Sequence, residues 1–143
     1  MAMKKPGSNF EYERERDDDL LRVYRDTIHA ADHIRMPDIL DVVVNSPSKR
    51  FWVSEERAAV VVARMLKGDT CPHMRPQKRE MFGEILRRVE HLRESNPGMT
   101  IAMLVFHVVR QPAPKFYLTP GSAKVILSRI RKKRRNEYRR HHR

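Results

Sequence analysis

The chain has 143 residues, 40% of them hydrophobic and 34% charged, with a net charge of +12. That length suits one domain or two very small ones, and the apolar fraction is enough for a real core. Five glycines, an aromatic content of 7% and a single cysteine, Cys71, argue against an all-β design and against a disulfide-built secreted fold. There is no run of 18 apolar residues to span a bilayer, and no apolar stretch follows the two lysines near the N-terminus as in a secretory signal. A cytoplasmic protein is the expectation.

Residues 1–9 carry no periodic pattern and are expected to be disordered. A helix is predicted over about 10–32, because Leu20, Leu21, Tyr24, Ile28 and Ala31 recur on one face. Met36-Pro37-Asp38 opens a second helix, since proline fits a first helical turn; it carries Ile39, Leu40, Val43 and Val44 and stops near Pro47. Arg50 to Val53 reads as an extended link. Ser54 then caps a third helix that ends near Leu66, with Glu55 and Glu56 at the positive end of its dipole. The valine runs 42–44 and 60–62 also suit buried strands, but the caps and the helical spacing favour helix.

After a linker over 68–75, the plan repeats. A helix over about 76–95 turns Met81, Phe82, Ile85, Leu86, Val89 and Leu92 inward and breaks at Asn96-Pro97-Gly98. A helix over about 100–110 comes next, then a link stiffened by Pro112 and Pro114. Thr119 caps a last helix with Pro120 in its first turn, and no stop signal follows Ser128. Residues 17–67 align without gaps on 82–132, an offset of 65. Val43/Val108, Val44/Val109, Pro47/Pro112, Phe51/Phe116, Ala58/Ala123, Val60/Val125 and Arg64/Arg129 are identical pairs. The predicted fold class is therefore all-α. About six helices are arranged as two related three-helix units, 10–67 and 76–128, followed by a basic tail over 129–143.

The tail holds nine Lys/Arg and one acid, a net +8, whereas the other 128 residues carry only +4. Like charges so close together repel, so the free tail is expected to be frayed or disordered, and a polyanion relieves the cost by exchanging condensed counterions for protein cations. Nucleic acid is the predicted partner, DNA ahead of RNA. The candidate contacts are Lys115, Lys124, Arg129, Arg131, Lys132, Lys133, Arg134, Arg135, Arg139, Arg140 and Arg143.

Each helix–link–helix resembles a helix-turn-helix reader in layout, although its link of about eight residues exceeds the usual three- or four-residue turn. In an extended link, alternate residues face opposite sides. Phe51 and Val53, like Phe116 and Leu118, would point inward, leaving Trp52 and Tyr117 as candidate stacking platforms for bases.

Cys71-Pro72-His73 lacks the paired ligands of a zinc site, so neither metal nor cofactor is expected. Asp17-Asp18-Asp19 fans around a helix axis, and no glycine-rich phosphate loop, nucleophile elbow or paired-histidine zinc motif is present. The chain therefore reads as a non-enzyme. An RNA-binding component of a ribosome or virion shares the same signature. A homodimeric interaction module that docks its tail on an acidic protein does so as well.

Overall fold

Proline, serine and threonine set most of the helix starts. A computed structural model describes residues 8–142, with side chains described from Tyr12 onward. Among these residues there are six helices and no strand: α1 Ser8–Ala30, α2 Met36–Val44, α3 Glu55–Leu66, α4 Pro76–Ser95, α5 Ile101–Val109 and α6 Pro120–His141. The Ser54, Thr100 and Thr119 hydroxyls each accept a backbone N–H three residues on, which satisfies one of the open donors of the first turn. Both valine runs lie in helices, Val42–Val44 in α2 and Val60–Val62 in α3. Of the segment 1–9, residues 1–7 lie outside the described residues, while Ser8 and Asn9 are already helical. Among the described residues, no helix is long and apolar enough to cross a membrane.

The helices pack as two groups of three that do not coincide with the two sequence units. α1 and α2 pack with α6, whereas α3 packs with α4 and α5. Leu20, Tyr24, Leu40, Val43, Ala123 and Leu127 lie in the first core, and Val61, Val62, Phe82, Ile85, Leu104 and Val108 in the second. The helix after each link thus leaves the two helices before it, α3 joining the next two and α6 joining the first two.

The links cross where this exchange takes place. Ser48 and Ala113 form an antiparallel bridge, each N–H donating to the other carbonyl at 3.1 Å. The Phe51 N–H donates to the Val109 carbonyl at 3.0 Å, and the Phe116 N–H to the Val44 carbonyl at 3.1 Å. Both rings are buried, Phe51 in the α3–α5 core and Phe116 in the α1–α2–α6 core. Burying such a ring contributes roughly 2–3 kcal/mol, so the crossing is held by side chains as well as by backbone.

Candidate nucleic-acid interface

Helix α6 has two parts. Ala123, Ile126 and Leu127 are buried against α1 and α2, and Ile130 is half-buried behind them. From Arg131 to His142 every residue is exposed. The fraying expected of the free tail is not seen: the helix continues to His141, its long Lys and Arg side chains being good helix formers despite their repulsion, so its last turns extend roughly 18 Å past the core at 1.5 Å per residue.

The cations of α6 divide by face. The buried stripe of Ala123, Leu127 and Ile130 points at the core; with 3.6 residues per turn, Lys132, Arg135 and Arg139 fall on the opposite side. Lys124 is exposed one turn after the cap, and Arg140 is exposed near the end. Arg131 turns back on α1: its guanidinium sits 4.8 Å from the Tyr24 ring centroid and donates to the Tyr24 hydroxyl. Arg129, Lys133 and Arg134 line a cleft of about 430 Å³ against Glu13, Arg14, Asp17 and Asp18 of α1, with Ile130 and Glu137 completing the wall. Arg143 lies outside the described residues.

Other candidate positions are already occupied. The Lys115 ammonium pairs with Glu80 of α4 and lies 5.5 Å from the Tyr117 ring centroid. Trp52 is half-buried; its indole N–H donates to Asp19 at 2.9 Å, and Tyr12 meets it edge-on at 5.8 Å. Tyr12 is itself shielded from water, which pushes its phenol up to about 12.

Tyr117 corrects the alternation expected of the links. It is only 8% exposed and stacks on Phe51 at 6.1 Å, with an interplanar angle of 17°. The backbone explains the reversal. Tyr117 has φ +57°, and a left-handed residue in an otherwise extended link turns its side chain inward. Burial pushes its phenol up to about 12. It offers no face to a base.

The helix-turn-helix layout is not formed within either unit. A reader of that type packs its two helices together across the turn, whereas here α2 and α3 lie in different groups, as do α5 and α6. The start of α3 is also engaged, because Glu55 pairs with Arg50 at 3.4 Å and with Arg110 at 3.5 Å.

Two features of the surface were missed in the sequence. Tyr138 is 63% exposed among the arginines of α6 and stacks on His142 at 4.0 Å. The acidic side of α1 facing α6 was the other. Its signal was present, since Glu13 and Asp17 extend the Leu20–Tyr24 stripe at spacings of four, three and four.

A larger open groove, about 800 Å³, runs between α1 and α2 past Asp26, Asp32 and Asp38, away from the cations of α6. Among the described residues, no three His, Cys, Asp or Glu side chains are grouped to hold a metal ion. Compared with protein families, curated proteins and solved structures, the chain matches none.

Proposed function

We propose that the protein is a non-enzymatic binder of duplex DNA that engages the phosphate backbone with the cations of α6. One observation carries this reading: the surplus positive charge of the chain rides on a helix that continues well beyond the core it helps to close. A helix of this diameter fits the major groove, about 12 Å wide, but not the deep, narrow groove of A-form RNA. Phosphate contact is the role of Lys124, Lys132, Arg135, Arg139 and Arg140; nothing in their placement points to base readout. The lone cysteine suits a reducing cytoplasm, where such a partner is at hand.

The chain is also read as two related units with a basic extension on the second. The offset of 65 is supported by paired features: Phe51–Val109 with Phe116–Val44 in the links, and Asp19–Arg22 in α1 with Glu84–Arg87 in α4. On this reading a single chain supplies both halves of the crossing, and a second copy is not needed to complete it.

The test is binding to a 20-base-pair duplex across 50–200 mM salt, for the whole chain and for a chain ending at Ile130. Ending there keeps the buried and half-buried residues of α6 and gives up only the exposed Arg131 contact with Tyr24. If about five phosphates are engaged, affinity falls by roughly 500-fold over that range. The shortened chain should lose this binding yet unfold within a few degrees of the whole one. Equal binding by both overturns the proposal, and preference for single strands or structured RNA in competition replaces DNA with that partner.

A further inference from the structure

We propose that α1 is a built-in counter-surface that withdraws Arg129, Lys133 and Arg134 from the DNA-contacting set, leaving the outer stripe of Lys132, Arg135 and Arg139 to lie on the duplex. This inference rests on the DNA-binding reading above.

The cleft between the two helices is balanced in charge. Glu13, Arg14, Asp17 and Asp18 carry a net −2, and Arg129, Lys133, Arg134 and Glu137 carry a net +2. The helices run antiparallel there, since Tyr24 meets Arg131 while Glu13 shares the cleft with Glu137. All these groups border one cavity, so they interact within about one Debye length, roughly 8 Å at physiological salt. Carboxylates across the cleft lower the potential around the inner cations through space, without direct ion pairing. A phosphate approaching from that side would also meet Glu13 and Asp18, which repel it, while Asp17 is already paired with Arg16 at 3.1 Å. Among the described residues no cation of α6 on either side comes within 4.0 Å of a carboxylate, so the two sides differ in that Arg129, Lys133 and Arg134 line the acidic cleft whereas Lys132, Arg135 and Arg139 do not. A helix with one flank facing carboxylates across a cleft and the other flank outside that cleft meets a polyanion more favourably in one orientation.

Salt slopes separate this from a helix that is cationic all round, because each engaged phosphate adds about 0.9 to the slope of log K against log salt. Replacing Lys132, Arg135 and Arg139 by Gln should lower the slope by about 2.7. Replacing Arg129, Lys133 and Arg134 by Gln should lower it by less than about 1. Glu13→Gln/Asp17→Asn/Asp18→Asn should steepen it by about 2 and tighten binding at least tenfold at 50 mM salt, as the inner cations are released to phosphate. Glu13→Gln/Asp18→Asn changes only exposed positions and should steepen it by about 1, which provides a folded comparator if the triple variant unfolds. Equal losses from the inner and outer replacements, or an unchanged slope in both α1 variants, overturn the inference and leave the DNA-binding reading intact. If the unaltered chain binds no duplex at all, it is that reading which fails.

Discussion

Helices α3 and α6 start alike and end differently. Each comes after a link, takes a hydroxyl cap and buries an apolar face against two helices from the other half of the sequence. After 12 residues α3 stops at Leu66; the next residues turn away, and Gly68 takes φ +100°, which only glycine adopts freely. Nothing comparable interrupts α6, which runs for 22 residues. The core therefore asks for only about three turns after the cap. Residues beyond the third turn are free of packing demands, and in α6 most of them are lysine and arginine, whose long side chains are good helix formers despite their mutual repulsion. Packing is shared between the two helices; the surplus charge belongs to one.

The same contrast extends to the carboxylates that brace the links, and here the largest change is expected. Asp19 is 1% exposed and accepts from Arg22, from the Lys49 N–H and from the Trp52 indole, the last two at 2.9 Å. Asp19→Ala leaves two part-buried donors without their acceptor and should lower unfolding stability by about 2 kcal/mol in urea titration. Glu84 stands 65 residues on, where Arg87 and Arg88 hold its carboxyl below the usual range, chiefly through the Arg87 hydrogen bond. Its pairing with Arg87 is largely exposed, so Glu84→Ala should cost under about 1 kcal/mol. Equal costs would mean that the two sites brace their links equally, and the contrast would fall.

A smaller effect should appear in alkali. Burial raises the Tyr117 phenol from 10.0 to about 12, so the folded state holds its proton more tightly than the unfolded chain does. Stability from this source is complete below pH 10 and is lost as pH rises towards 12, at most about 1.4 kcal/mol per pH unit. Tyr12, raised by the same cause, adds to the slope. Tyr117→Phe should flatten the decline of stability between pH 10 and pH 12. An unchanged decline would place the effect elsewhere, Tyr12 included. The counterpart position, Trp52, has no proton to lose in this range, so the alkaline response sets the two links apart.

Most helix limits were legible because their causes are local. Pro37, Ser54, Pro76, Thr119 and Pro120 mark starts through their own backbone or hydroxyl chemistry, and the structure places the starts of α2 to α6 within a residue or two of expectation, whereas the end of α6 at His141 had no local signal. Three features were not legible, each for a tertiary reason. Apolar periodicity shows that α3 and α6 bury a face, but not against which helices; the exchange depends on links that meet only in the folded chain. Tyr117 turns inward through a positive φ that its residue type does not announce. The cleft beside α6 joins residues more than 100 positions apart, so the charge of the C-terminal run could be counted from the sequence, but not how much of it stays open.

The finest test concerns the one feature in which α3 and α6 are most alike. Ser54 accepts from the Arg57 N–H at 3.1 Å and Thr119 from the Ser122 N–H at 3.0 Å. Alanine at either position should cost about 1 kcal/mol, read as a small fall in thermal midpoint. Charge makes the two losses respond differently to salt. Glu55 and Glu56 sit at the positive end of the α3 dipole and still favour that end when Ser54 is gone, whereas the first turn of α6 carries no acid. Salt screens that residual support, so the cost of Ser54→Ala should grow between 50 mM and 500 mM salt while that of Thr119→Ala stays level. If both costs move together, the acidic start of α3 contributes nothing, and the two helices differ only in how they end.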